Sequence, residues 1–169
     1  MNIFVTVGTT SFDPLVEAVD KGPYAKNALI QIADGLYEPA VARWFRFEPG
    51  IQAHIDKADV VVCHGGGGSI FSLLEAGIVP LVVPNTLRRD KHQLEIARWL
   101  QRNSFAVVAM YPEQVNEVLE SYEEAKQSCV AFTERRFFYQ EPLNRMVRAH
   151  MGLDDLSSKD QKNSGGNNE

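Results

Sequence analysis

Four consecutive glycines, Gly65, Gly66, Gly67 and Gly68, stand just behind the β-branched run Val60-Val61-Val62 and just ahead of Ile70, Leu73, Leu74 and Gly77 at helical spacing. A chain punctuated in this way has few options: a buried strand, a turn made tight by glycine, and a helix whose first N–H groups point back at the turn. Those N–H groups carry partial positive charge, and a backbone without side chains lets a ligand come close. The loop therefore suits an anion, above all phosphate. Tight packing of helix on strand is the plainer explanation of the same glycines. Residues 78–84 repeat the apolar strand pattern and deliver a second polar loop, residues 85–93, to the same edge of the sheet.

The rest of the chain alternates in the same manner. Residues 3–7 read as a strand, Gly8, Thr9 and Thr10 as a turn, and Leu15, Val16 and Val19 as one face of a short helix. Further strands are expected at 28–33, 44–47 and 106–109, and helices at 51–57, at 90–101 and after Pro112. This predicts an α/β, Rossmann-like fold, a mainly parallel sheet with helices on both faces. Residues 34–42, with Gly35 and Pro39, are too short for a comfortable helical crossover, so the pairing of the third strand is left open between parallel and mixed. A doubly wound order 3-2-1-4-5-6 makes the first and fourth strands neighbours at the switch point, with the Gly8 turn and the His64 loop at their carboxyl ends. Residues 134–150 carry Phe137, Phe138, Leu143 and Val147 for a last helix, which either covers the sheet or docks a partner. Residues 1–150 thus read as one domain and 151–169, almost wholly polar from Asp154, as a disordered tail.

With 169 residues, 44% of them hydrophobic, the chain holds one core. A net charge of −5 and a pI near 5.4 leave no basic field for nucleic acid, so any anion site is local. Cys63 and Cys129 suit neither a disulfide framework nor a zinc site and point to a reducing, cytoplasmic compartment. No apolar run approaches the roughly 18 residues that would span a bilayer.

Other chemistries fail residue by residue. A P-loop ends in Gly-Lys-Ser/Thr, whereas Gly68 is followed by Ser69 and Ile70; a dinucleotide fingerprint needs spaced glycines after the first strand, where only Gly8 stands. His64-Gly65-Gly66-Gly67 resembles the oxyanion loop of esterases, making a serine hydrolase the rival enzyme class, but around Ser69 the nucleophile elbow ends in Phe71 rather than glycine. His64 reads as a loop-supporting residue or a weak candidate base, and His92 as a helix-start residue or a ligand contact. Neither has metal-ligand spacing, and no Asp-x-Asp motif is present, so no metal and no cofactor are expected. Arg88 and Arg89 are either solvated or clamps for a diphosphate. Ser69 and Asp90 read as N-caps, Ser69 in a position also to touch phosphate.

At these residues the chain resembles the C-terminal, nucleotide-sugar-binding half of the GT-B glycosyltransferases of family 28. Within that family it is most similar to the small catalytic subunits of split enzymes, such as the one that adds the second GlcNAc of the eukaryotic dolichol-linked oligosaccharide and its bacterial exopolysaccharide counterparts. The matching pieces are Phe4-Val5-Thr6-Val7-Gly8-Thr9-Thr10 with Phe12-Asp13, Ala58-Asp59-Val60-Val61-Val62, His64-x-Gly66-x-Gly68-Ser69, Gly77-x-x-Pro80, and Asp90-x-His92-Gln93 with Glu95. The resemblance implies an inverting, metal-independent transfer from a UDP-sugar to a lipid-linked saccharide, with the diphosphate near Gly66, Gly67, Gly68 and Ser69, the sugar near Gln93, and Gly8, Thr9 and Thr10 bordering the cleft. It also implies a membrane-anchored partner subunit that binds the acceptor and holds the chain peripheral to the membrane. Ser72 departs from the family, where several members carry a glutamate associated with the ribose hydroxyls. A non-catalytic nucleotide-sugar-binding or scaffold subunit is the alternative, and Gln93 is expected to matter to activity more than to folding.

Overall fold

In the computed structural model, residues 1–87 and 91–132 are described. Six short apolar segments form the sheet: β1 (Ile3–Thr6), β2 (Ala28–Gln31), β3 (Arg43–Phe45), β4 (Val60–His64), β5 (Leu81–Val83) and β6 (Val107–Val108). Their order is β3-β2-β1-β4-β5-β6, and every pairing is parallel. β1 and β4 lie side by side, Thr6 opposite Cys63, so the switch point falls where the alternation of elements places it.

Because side chains alternate across a strand, the continuous apolar runs of β1 and β4 feed two cores. On one face Val5, Ile30, Val62 and Val83 pack with α1 (Asp13–Asp20), α5 (Val115–Glu120) and α6 (Tyr122–Gln127). On the other, Phe4, Val61, Cys63 and Val82 meet α2 (Gln52–Ile55), α3 (Gly67–Glu75) and α4 (His92–Arg102). The helix expected after Pro112 is in fact a 3-10 turn (Pro112–Gln114) followed by α5 and α6, with a break at Ser121. The helix read over 134–150 and the polar tail lie outside the described residues.

The pairing left open at the third strand is parallel: β3 lies beside β2, Ile30 opposite Trp44. The crossover between them is coil, and two charged side chains replace the missing helix. Asp20, the last residue of α1 and 3% exposed, accepts hydrogen bonds from the N–H groups of Ala40, Val41 and Ala42 at 2.9, 2.9 and 2.8 Å and from the Tyr37 hydroxyl at 2.9 Å. Burial works against its charge, but the three N–H donors and the phenol outweigh it and hold the carboxyl below the usual range. Arg46 closes the other end, donating to Gly35 O at 2.9 Å and Glu38 Oε1 at 2.7 Å. A buried carboxylate, rather than a helix, satisfies the backbone of this connection.

Candidate functional site

Three loops leave the carboxyl edge of the sheet at β1, β4 and β5, and buried polar contacts tie them together. Thr6 starts the first: its hydroxyl donates to Gln31 Oε1 at 2.6 Å and accepts from Gly8 N–H at 3.2 Å, closing a turn in which Gly8 takes φ +65°. At Gly8 a side chain would be strained by the backbone and would also press on the His64 ring, 2.8 Å from a Cβ. From the other side Gly66 meets the same ring, its hypothetical Cβ 2.5 Å from Nε2. His64, 8% exposed at the end of β4, is therefore seated between the backbones of the two glycine turns. This brings Gly8, His64 and Gly66 together, as their places on neighbouring strands predict. Thr9 is exposed and Thr10 half-buried on the same turn.

The third loop is locked through Asn85, which the sequence reading passed over. Its N–H donates to Gln93 Oε1 at 2.9 Å, and its side-chain amide reaches Ser11 O at 3.4 Å. Gln93 at the start of α4 is 8% exposed, and a Cβ on Gly65 would lie 2.5 Å from Gln93 Cβ. The expectation that Gln93 has little structural value is thereby corrected. Its side chain satisfies a buried backbone donor, and its backbone is what Gly65 packs against. The clue in the sequence was a lone asparagine straight after the apolar run of β5, a polar group at the mouth of a buried strand.

The glycine run does not end before the helix. α3 begins at Gly67 with Gly66 as its N-cap, so Ser69 is its third residue and not the cap as expected. No side chain caps α3, and the N–H groups of its first turn, Gly67, Gly68 and Ser69, have no acceptor within the helix. Nor is space short there. A Cβ on Gly67 would meet only Ile96 and Phe71 at 3.7 Å or more, and one on Gly68 nothing within 4 Å. Packing explains the absent side chains at Gly65 and Gly66 but not at Gly67 and Gly68.

Beside this helix end runs a groove of about 290 Å³ between α2 and α3. Ile51, Ile55, Leu73 and Ile78 give it apolar walls, and Ser69, Ser72 and Gln52 supply its polar atoms. Ser72 is exposed one turn along α3 from Gly68. The combination of an uncapped helix start and an adjoining apolar groove with hydroxyls at its lip can take an anion joined to a flat organic group. His92 is 82% exposed, its Nδ1 3.7 Å from Glu95 on the solvent side of α4, and does not join the cluster. Arg88, Arg89 and Asp90 lie outside the described residues.

The neighbouring thiol is inert, since complete burial pushes Cys63 up to about 12. Among the described residues no three His, Cys, Asp or Glu side chains are grouped to hold a metal ion, and no helix is long and apolar enough to cross a membrane.

Comparison with known proteins agrees with this layout. The UDP-N-acetylglucosamine transferase subunit ALG13 of Homo sapiens is 33% identical over 115 residues, which make up 59% of this chain and 10% of that protein. The chain thus spans about a tenth of the length of that relative. Two solved structures share the fold: MurG of Acinetobacter baumannii, with a TM-score of 0.56 at 20% identity over 75% of this chain and 44% of that one, and ALG13 in solution, with 0.54 at 18% identity over 86% and 94%. The family model of the glycosyltransferase family 28 C-terminal domain matches residues 2–136, from the start of β1 past the end of α6. That span holds every loop of the carboxyl edge, and by it the chain belongs to glycosyltransferase family 28 as a C-terminal domain.

Proposed function

We propose that this domain binds a UDP-sugar at the carboxyl edge of its sheet and serves as the donor-binding, catalytic subunit of an inverting glycosyltransferase. The observation that carries the reading is the open start of α3, where Gly67 and Gly68 leave room that no protein atom needs. A diphosphate set there would accept from the unpaired N–H groups of the first turn. The same dipole end would stabilise the negative charge that grows on the leaving UDP as the glycosidic bond breaks, in place of a divalent ion. Ser69 would add a hydroxyl to a phosphate oxygen, and the groove between α2 and α3 would take the nucleoside, with Ser72 near the ribose. The names of the curated relatives make UDP-N-acetylglucosamine the donor to test first.

His64, enclosed between two glycine backbones, positions the loops in this reading rather than taking a proton. The acceptor hydroxyl must lose its proton to a group elsewhere, and this requirement supports a partner lobe. The relatives' description as transferase subunits supports the same division of labour. We place the acceptor, a lipid-linked saccharide, on a membrane-anchored partner that brings this domain to the cytoplasmic membrane surface.

Calorimetry with UDP in EDTA tests the donor site: binding is expected without metal. No heat at millimolar UDP, with or without the partner, would overturn the reading. Sugar transfer from labelled UDP-N-acetylglucosamine by the co-expressed pair separates a catalytic subunit from a scaffold that only binds.

A further inference from the structure

A second cavity, about 340 Å³ in volume, opens at the amino-terminal edge of the sheet, at the opposite ends of β1 and β2 from the glycine loops. Its volume falls in the range of roughly 300–1,000 Å³ typical of small-molecule sites. Leu29 makes an apolar floor over the buried Ile3 and Phe4, and Arg43 and Lys57 stand at the rim. His54 of α2 forms one wall, its ring 5.5 Å from Phe4 and 5.4 Å from Phe45 between centroids, which fixes that wall in place.

The cations at the rim are not paired with the carboxylates of this edge. Of the neighbouring carboxylates, Glu48 is engaged by His54 Nε2 at 2.7 Å, and Asp59 accepts the Asn2 N–H at 2.6 Å. Arg43 and Lys57 are exposed, and neither forms a hydrogen bond or ion pair with any described residue. The chain as a whole is acidic, at −5, so two unpaired cations over one apolar floor run against its general trend. Isolated surface cations would draw any anion weakly. Cations above a hydrophobic floor favour an anion that carries a planar apolar body, because both parts find their match within one cavity.

We infer that this amino-edge cavity is a second ligand site, separate from the glycine loops, for a small aromatic anion such as an aryl phosphate or carboxylate. The apolar body lies on Leu29 beside His54, and the charged end faces Arg43 and Lys57. The site is independent of the donor reading.

The probe is phenyl phosphate, titrated into the full chain with saturating UDP present and followed by amide chemical shifts. Shifts should cluster at Asn27, Leu29, Arg43, His54 and Lys57. The double variant Arg43→Ala/Lys57→Ala, which removes two exposed side chains, should bind phenyl phosphate about tenfold more weakly, with the melting temperature and UDP affinity unchanged. Inorganic phosphate should bind at least about tenfold more weakly than phenyl phosphate, since it gains nothing from the floor. Shifts confined to the carboxyl edge, equal affinity for the two probes, or undiminished binding by the double variant would each overturn the assignment.

Discussion

The two halves of the glycine run differ in what a side chain would meet. At Gly65 and Gly66 it would be driven into Gln93 and His64, at 2.5 Å in both cases; at Gly67 and Gly68 it would find ordinary contact or open space. The first pair is needed so that the turn, the β1 loop and α4 can close on one another. The second pair opens a helix, where glycine is the poorest choice after proline, and no contact among the described residues requires it. The lesson is that one repeated letter answers to two demands: the architecture of the edge, and the approach of something outside the chain.

The largest effect should come from the packed half. Gly65→Val should destabilise the fold by about 2–4 kcal/mol in urea unfolding, because the atoms in its way are the backbone and Cβ of Gln93. A variant as stable as the parent would erase the distinction. Next comes the partner of that contact: Gln93→Ala orphans the Asn85 N–H and should cost about 1–3 kcal/mol of stability, with a matching loss of the melting temperature. Gly67→Val should leave unfolding free energy within about 1 kcal/mol while weakening UDP at least about tenfold by calorimetry. If UDP binds it normally, the open half is not a phosphate cradle. The smallest effect is a gain: Gly68→Ala, in the first turn of α3 with free space around it, should raise stability by about 0.5–1 kcal/mol.

Much of this was legible because parallel strands buried on both faces are written as unbroken β-branched runs. Val60, Val61 and Val62 announced the central strand, and the spacing of such runs gave the order of the sheet and the meeting of the Gly8 and His64 turns. The start of α3 was misplaced because glycine argues against helix, and propensity yields where neighbours already fix the backbone. The β2–β3 connection was left open for a different reason. Asp20 reads in sequence as an acidic residue at the wrong end of a helix, where it opposes the macrodipole, and only the fold shows that it faces four donors. The bond between Thr6 and Gln31 was hidden in the same way: the two side chains meet across 25 residues of chain.

The carboxylate at the end of α1 also makes one edge of the sheet a proton-sensitive fastening. Asp20 ionises more readily in the folded chain than at the ordinary value of 3.8, so its contribution is complete above that value and is lost as pH falls through its lowered folded one. Protonation puts a hydrogen on one carboxyl oxygen and takes the charge from the acceptor that three amides share. β3 is only three residues long, paired on one side alone, and tethered through that loop. Acid should therefore loosen the molecule from this edge inward: the amides of Ala40, Val41 and Ala42 should lose exchange protection only once pH has fallen below the ordinary value of 3.8, while those of β1 and β4 keep theirs. With Asp20→Asn the loop should exchange quickly at every pH. The edge strand β3 is thus held by a charge, whereas the strands that carry the glycine loops are held by burial.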